Sequence, residues 1–160
     1  MSDSFKVPMP VNEPIKDYEP NSEEKRSLVE KINELSSSIV EIPIIIDGKE
    51  IKTGNTGNCV KPYDHAHILG TYHKAGKEEV KLAIESSLDA WNDWSQTSFE
   101  YRAKIFLKMA ELLTGPHRDV VNASTMLNMS KNVYQAEIDA ACELIDFWNF
   151  NCWYAQEIYA

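Results

Sequence analysis

The chain has 160 residues, of which 43% are hydrophobic and 10% are aromatic, and its formal net charge is -9. A chain of this length and composition can bury a core of its own and form a folded domain. The acidic balance argues against a nucleic-acid partner, because affinity for nucleic acid comes largely from Lys and Arg displacing counterions.

Residues 1–20 are predicted to form an extended arm, and the folded domain is expected over 21–160. Four of the seven prolines lie in the arm, and proline fixes φ and lacks the N–H that a helix or a central strand needs. Apolar residues at helical spacing then predict a helix over about 22–38, with Asn21 as its N-cap and Glu24 as the capping-box partner. The arm is expected to lie against a larger body.

Short strands are predicted between this helix and residue 74. β-Branched residues at 42–47 and 50–53 flank a glycine, which is the pattern of a hairpin. Val60, Tyr63 and residues 68–73 suggest one or two further strands, broken by Pro62 and by a turn at 65–67. The β region is therefore expected to be small and antiparallel.

From residue 77 onward the hydrophobic period becomes helical. The pattern predicts helices over about 77–94, 98–114 and 117–129. Ser98 is expected to cap the second helix, and Gly115-Pro116 is expected to end it. Trp91 and Trp94 fall on the apolar side of the first helix, which predicts that both pack in a core.

The last element is predicted to be one long helix over 132–160, a stretch without Pro or Gly. Apolar residues recur along it at steps of four and three, at Tyr134, Ile138, Ala141, Ile145, Trp148 and Cys152. A rotation of about 100° per residue groups another set on the opposite side, namely Ala136, Asp139, Ala140, Glu143, Asp146, Phe147, Phe150 and Tyr154. Two interpretations of that side stay open. It is either a solvated acidic surface, or a surface for a partner domain or for a pocket that receives an ammonium group.

A metal site is considered at Asp64, His65 and His67. A closed zinc site needs about four ligands, and no second ligand cluster is visible in the sequence. A turn with surface histidines is the better explanation, so no metal ligand is assigned.

The three cysteines, Cys59, Cys142 and Cys152, lack the spacing of a zinc finger or a C-x-x-C motif. Cys142 and Cys152 are expected to be small core residues, and no nearby His or Lys marks either as a thiolate nucleophile. The sequence also lacks the glycine-rich motifs that cradle phosphates. We therefore assign no catalytic and no cofactor-binding residue within the chain.

Six segments carry a resemblance to a known family: EIP at 41–43, GKEI at 48–51, TGNTG at 53–57, AKIFLK at 103–108, LTGP at 113–116 and SKNVYQAEIDAACELIDF at 130–147. Together they resemble the N-terminal third of glutamate-γ-semialdehyde (1-pyrroline-5-carboxylate) dehydrogenases, which belong to the aldehyde dehydrogenase family. The resemblance implies an α/β fold of the aldehyde dehydrogenase type. Here it would be an N-terminal fragment, mostly helical, with a small antiparallel β-hairpin region and a long C-terminal helix. The domain at 21–160 would be the N-terminal part of the NAD-binding domain, truncated before the catalytic domain.

The resemblance also implies an activity, the NAD-dependent oxidation of L-glutamate γ-semialdehyde to L-glutamate in proline catabolism. The family's catalytic cysteine, base glutamate and main NAD contacts would lie beyond residue 160, so the chain alone is expected to be inactive and to bind no NAD. Glu143 is carried over as a substrate-binding residue, because the family turns a glutamate at this place toward the substrate's amino group. The alternative is a non-catalytic truncated module that binds a full-length aldehyde dehydrogenase.

The resemblance implies a small-molecule aldehyde substrate, a homo-oligomer at full length and a location in the mitochondrial matrix. The N-terminus shows neither a secretory signal nor an Arg-rich presequence, so a cytoplasmic location stays open. No membrane partner is expected, because the longest apolar runs are far too short to cross a bilayer.

Overall fold

The computed structural model describes residues 5–160, and residues 1–4 of the predicted arm lie outside the described residues. In chain order, the elements are α1 (Glu23–Ser36), β1 (Val40–Ile42), β2 (Ile44–Ile46), β3 (Lys49–Ile51), β4 (Thr56–Lys61), β5 (Asp64–His73), α2 (Lys77–Gln96), α3 (Phe99–Thr114), α4 (Arg118–Met129), α5 (Val133–Ala136), a π-helical turn (Glu137–Cys142) and α6 (Glu143–Tyr159). The predicted composition, mostly helical with a small β region and a long C-terminal helical segment, is confirmed.

The elements divide between two compact units. One unit combines the residues up to Asn33 with Ser98–Ala160, and the other is Glu34–Thr97. None of the helices within residues 5–160 has the length and apolarity that crossing a membrane requires.

The unit Glu34–Thr97 contains two small sheets. Strands β1, β5 and β4 form one sheet in that order, with β1 parallel and β4 antiparallel to β5. Strands β2 and β3 form the predicted hairpin, joined by Asp47 and Gly48 at φ values of 54° and 69°. Two successive residues with positive φ match the two-residue turn that fits the twist of a hairpin. The sequence pattern therefore located this hairpin correctly.

Three details of the strand prediction are wrong. The β region is not wholly antiparallel, because β1 pairs with β5 in parallel. Ile42 does not belong to the hairpin strand: it ends β1, which pairs with β5, and Pro43 separates β1 from β2. The expected turn at 65–67 lies inside β5, and the chain reverses at residues 62–63 instead. Proline fixes φ and donates no hydrogen bond, so residue 62 suits this turn better than a ladder position.

The predicted N-cap is wrong for α1 and correct for α3. Helix α1 begins one residue later than its predicted cap implies, because the side chain of Ser22 accepts a hydrogen bond from the N–H of Lys25 at 3.3 Å. Asn21 is instead left-handed, with φ of 70°. The Ser98 cap is confirmed, since its hydroxyl accepts from the N–H of Tyr101 at 3.2 Å. Short hydroxyl side chains satisfy the unpaired N–H groups of a first helical turn.

The prediction that Trp91 and Trp94 pack in a core is wrong. Their exposed fractions are 64% and 43%, and the same side of α2 carries other exposed apolar residues: Val80, Ile84 and Leu88. The helical period correctly identified an apolar side. The period does not show whether another part of the described chain covers that side.

The prediction of one uninterrupted α-helix over 132–160 is also wrong. A π-helical turn separates α5 from α6, and Asn132 caps α5 by accepting from the N–H of Gln135 at 2.9 Å. Tyr134, expected on the buried side, is 62% exposed, whereas Ala136, expected on the opposite side, is fully buried. A π-turn adds one residue to a helical turn, so residues before it rotate by about 100° relative to those after it.

The core of the unit that contains the C-terminal helices lies between α3 and α6. Ala110, Leu113 and Ile145 form one buried cluster. A second cluster joins Ala103 and Cys152 to residue Val7 of the arm. Burying a side chain as large as Ile145 contributes roughly 1.5–3 kcal/mol. The arm therefore belongs to the core of this unit.

Gly70 is expected to tolerate no side chain. It lies opposite Val40 in the β1–β5 pair, and a Cβ there would sit 2.7 Å from the carbonyl oxygen of Val40. Because that neighbour is backbone, Gly70→Ala should lower the free energy of unfolding by roughly 1–3 kcal/mol, measured by urea denaturation. Gly115→Ala is the control, because its Cβ would meet its nearest neighbour at 3.4 Å. Equal unfolding midpoints for the two variants would contradict this expectation.

Candidate functional site

Glu143, the residue proposed from sequence to bind substrate, is the first residue of α6 and is exposed. Among residues 5–160 its carboxylate has no hydrogen-bond or ion-pair partner. Three aromatic side chains follow it along the helix: Phe147 is 59% exposed, Tyr154 is 54% exposed, and the half-buried Phe150 has its ring centroid 6.5 Å from that of Tyr154. We call these four residues the acidic–aromatic stripe.

The other two carboxylates that the sequence grouped with Glu143 already have partners. Asp139 accepts from the ammonium group of Lys131 at 2.6 Å. Asp146 accepts from the side chain of Asn12 and from the N–H of the next arm residue, both at 2.7 Å. The structure therefore does not bring three free carboxylates together. It leaves Glu143 as the one of the three that is free to bind an external cation.

A buried charged cluster supports the helix just before Glu143. It consists of Arg118, Glu137, Glu13, Tyr18 and Asn122, and the first two are 2% and 0% exposed. The guanidinium of Arg118 donates to Glu137 Oε1 at 2.5 Å and also pairs with the carboxylate of Glu13. The cluster therefore joins the arm, α4 and the π-turn.

The carboxylate of Glu137 accepts several further hydrogen bonds. Tyr18 Oη donates to it at 2.7 Å, Asn122 Nδ2 donates at 2.8 Å, and the backbone N–H of Lys16 donates at 2.8 Å. A buried charge is tolerated when it is paired and its remaining lone pairs are satisfied. Both conditions are met, so Glu137 can remain ionised inside the protein.

The electrostatics of the cluster follow from these contacts. Burial alone would raise the pKa of Glu137, but the hydrogen bonds from Arg118, Lys16, Tyr18 and Asn122 lower it to about 2. Burial and the neighbouring Glu137 raise the pKa of the Tyr18 hydroxyl well above its usual range. The cluster therefore holds a carboxylate anion and a neutral phenol at neutral pH.

The two cysteines of the C-terminal helical segment do not resemble activated nucleophiles. Cys142 and Cys152 are 5% and 6% exposed. Burial, helped by the charge of Glu137, raises the pKa of the Cys142 thiol to about 11, and burial also raises the pKa of Cys152. A cysteine nucleophile needs an accessible thiolate. The expectation that both are small core residues agrees with their burial.

Sequence reasoning did not single out Arg118 or Glu137. Glu137 lies beside the apolar stripe of a long helical segment, and a charge there signals a buried partner. Arg118 occupies the first position of α4, where the helix dipole disfavours a cation. Neither signal identifies the partner, because the two residues approach each other only in the folded chain.

The described residues offer little for a metal or a dinucleotide. Within 5–160, no group of three or more His, Cys, Asp or Glu is arranged to hold a metal ion. A dinucleotide's pyrophosphate binds at a glycine-rich turn from a strand into a helix N-terminus. Here β5 leads into α2, but the carboxylate of Glu79 already accepts from the N–H of Gly76 at 2.7 Å. A carboxylate at this helix start repels phosphate, so this passage does not fit the cofactor.

Comparison with known proteins identifies the class of protein. The profile of the Aldehyde dehydrogenase family matches residues 50–160. The chain belongs to the aldehyde dehydrogenase family, and its aldehyde-dehydrogenase-like fold is confirmed.

Within that family, the chain is similar to Delta-1-pyrroline-5-carboxylate dehydrogenases from several organisms. The chain is 44% identical over 153 residues to the mitochondrial Delta-1-pyrroline-5-carboxylate dehydrogenase of Dictyostelium discoideum, covering 96% of this chain and 27% of that protein. It is 38% identical over 147 residues to the mitochondrial Delta-1-pyrroline-5-carboxylate dehydrogenase of Homo sapiens, covering 92% of this chain and 26% of that protein. The crystal structure of the Mycobacterium tuberculosis Delta-pyrroline-5-carboxylate dehydrogenase matches with a TM-score of 0.95 at 42% identity, covering 99% of this chain and 30% of that chain. This chain therefore spans less than a third of the length of these relatives.

The buried carboxylate is expected to make stability depend on acid pH. The pKa of Glu137 falls from 4.5 to about 2 on folding, so the stability it contributes is complete above about pH 4.5 and is lost as the pH falls towards 2. Glu137→Gln should remove this part of the pH dependence, roughly 3 kcal/mol in the free energy of unfolding. Urea titrations across this pH range measure it. The matched control Asp139→Asn, at an exposed carboxylate, should keep the original dependence, and the same dependence in Glu137→Gln would contradict the assignment.

Proposed function

We propose that this chain serves in an NAD-dependent dehydrogenase that oxidises L-glutamate γ-semialdehyde, the open form of 1-pyrroline-5-carboxylate, to L-glutamate in proline catabolism. In this proposal Glu143 binds the substrate. The observation that carries the proposal is the free, exposed carboxylate of Glu143, in a chain that resembles a Delta-pyrroline-5-carboxylate dehydrogenase over 99% of its length.

The chemistry of the substrate suits the acidic–aromatic stripe. Glutamate γ-semialdehyde carries an ammonium group several bonds from its aldehyde, and a carboxylate is the natural acceptor for that cation. The apolar rings that follow Glu143 suit the methylene chain of the substrate. A charge-assisted hydrogen bond of this kind contributes about 1.5–3 kcal/mol. Glu143 would therefore select for the amino group and would take no part in bond making.

The cofactor of the proposed reaction is NAD. A Mycobacterium tuberculosis relative at 42% identity has been solved bound with NAD. The passage from β5 into α2 does not fit that cofactor, because Glu79 occupies the helix start that follows β5. We therefore assign the NAD contacts, the thiolate and the oxyanion donors to parts of such an enzyme outside these 160 residues.

The setting proposed for this function is the mitochondrial matrix, and the proposed assembly is a homo-oligomer. Mitochondrial relatives from Dictyostelium discoideum and Homo sapiens support the proposed location. The exposed apolar side of α2 is compatible with a homo-oligomer, since such a surface is often covered by other protein. The alternative, a non-catalytic module that binds a full-length aldehyde dehydrogenase, would use the acidic–aromatic stripe or the arm. The arm is less suited to that role, because three of its N–H groups are bonded to α6 and the π-turn.

Replacing Glu143 is expected to weaken the binding of the natural substrate selectively. The test uses a chimera in which this chain replaces the matching segment of the Mycobacterium tuberculosis enzyme. Glu143→Ala should raise KM for glutamate γ-semialdehyde by about tenfold or more. KM for 5-oxopentanoate, which lacks only the amino group, should change little, because that substrate offers no ammonium to Glu143.

Glu157→Ala is the matched control, because Glu157 is another exposed glutamate of the same helix. It lies 14 residues further on, which is roughly 21 Å along the helix axis. This variant should leave both KM values unchanged. Equal KM increases for the two substrates in Glu143→Ala would remove Glu143 from substrate recognition.

The 160-residue chain by itself is expected to bind no NAD and to show no turnover. It lacks a fitting pyrophosphate site within the described residues, and the thiols of Cys142 and Cys152 are buried and protonated. Isothermal titration with NAD measures binding, and an absorbance assay for NADH with the semialdehyde measures turnover. Saturable micromolar binding or steady NADH production would mean that the functional residues are misplaced.

A further inference from the structure

The π-helical turn ends immediately before Glu143, so its geometry decides the direction of that side chain. The N–H of Glu143 donates to the carbonyl oxygen of Ile138, five residues back. In an α-helix it would donate to Asp139, four residues back. The π-turn therefore sets the rotation at which α6 begins, and with it the direction of Glu143.

A π-turn needs a stabilising cause, because such turns are rare and often occur at functional sites. The contacts of Arg118 supply one. Its Nη2 lies 2.5 Å from Glu137 Oε1 and 3.3 Å from the sulfur of Cys142. The two contacted residues, Glu137 and Cys142, are five positions apart in the same helical segment.

A regular α-helix cannot present those two residues to one guanidinium. Five residues correspond to about 500° of rotation, which leaves the second side chain roughly 140° away from the first. The π-turn brings Glu137 and Cys142 one above the other, where Cys142 Sγ lies 3.8 Å from Glu137 Oε1. Because Glu137 is fully buried and bonded to the arm and to α4, it cannot rotate away without exposing those partners.

We propose that the Arg118–Glu137 pair is a positioning device for Glu143: by anchoring the first residue of the π-turn, it sets the rotation of α6 and aims Glu143 at the substrate's ammonium group. Glu137 itself is buried and touches no substrate, so it is a positioning residue. The proposal rests on the proposed function of Glu143. Its structural half, the control of helical rotation, is a property of the 160-residue chain.

The structural half is tested on the 160-residue chain by NMR. Scalar coupling across a hydrogen bond identifies which carbonyl accepts from the Glu143 N–H. The unaltered chain should show coupling to Ile138. Glu137→Gln should lose it and gain coupling to Asp139, because the amide group brings donors to atoms that now accept from Tyr18, Asn122 and Arg118. The matched control is Asp139→Asn, the same chemical change at an exposed position of the same turn, and it should keep the coupling to Ile138.

Each outcome of the NMR experiment decides the question. Retention of the Ile138 coupling in a folded Glu137→Gln chain would overturn the proposal. If that variant does not fold, Arg118→Lys takes its place, because lysine keeps the charge but cannot span Glu137 and Cys142. Failure of both variants to fold, beside a folded Asp139→Asn chain, would assign the cluster to global stability and would also overturn the proposal.

The functional half is tested in the Mycobacterium tuberculosis chimera. Glu137→Gln should raise KM for glutamate γ-semialdehyde by about tenfold, as Glu143→Ala does, with little change for 5-oxopentanoate. A variant that merely loosens the fold would affect both substrates. If Glu143→Ala discriminates between the substrates and Glu137→Gln does not, the positioning role is wrong and the proposed function stands. If neither discriminates, the proposed function itself fails.

Discussion

A buried carboxylate must be compensated, and the compensation of Glu137 organises the C-terminal half of this protein. An ion removed from water costs several kcal/mol unless it is paired and hydrogen-bonded. The compensating groups come from two separate parts of the chain, the arm and α4, while the carboxylate itself belongs to a third, the π-turn. Any arrangement that satisfies this one charge must bring those three parts together. The cluster therefore specifies a tertiary arrangement rather than a local structure.

The arm illustrates how a segment without regular structure becomes part of a core. Between residues 5 and 19 it forms neither helix nor strand, so its N–H groups need partners outside a ladder. Side chains of the C-terminal helical segment supply them: Glu137 accepts from Lys16, Asp146 from Glu13 and Gln156 from Val7. Acceptors spaced along one helix thus fix an extended chain lying beside it. The arm thereby makes the carboxylates of Glu137 and Asp146 unavailable to a ligand.

The same argument separates the two kinds of acidic residue on this helix. Asp139 and Asp146 are held by groups of the chain itself, whereas Glu143 projects from the first turn of α6 without a partner among the described residues. The aromatic side chains beyond it remain partly exposed. A stripe of this composition has the features expected of a surface completed by a substrate or by further protein. Membership of the aldehyde dehydrogenase family agrees with such a surface.

The sequence by itself determined the helices, the β2–β3 hairpin and the family, because these depend on local periodicity, turn chemistry and matching motifs. It also singled out Glu143 as a candidate residue. It did not determine which sides of the helices are covered. The apolar side of α2 carries the exposed Trp91 and Trp94, since a period marks an apolar side but not its partner. Nor did it predict the π-turn: a constant rotation per residue placed Tyr134 inside and Ala136 outside, and both assignments reversed. That turn places Glu137 and Cys142 on one guanidinium, and the guanidinium belongs to Arg118 of α4, a different helix. A contact between residues distant in sequence leaves no periodic trace, so only the tertiary structure decided it.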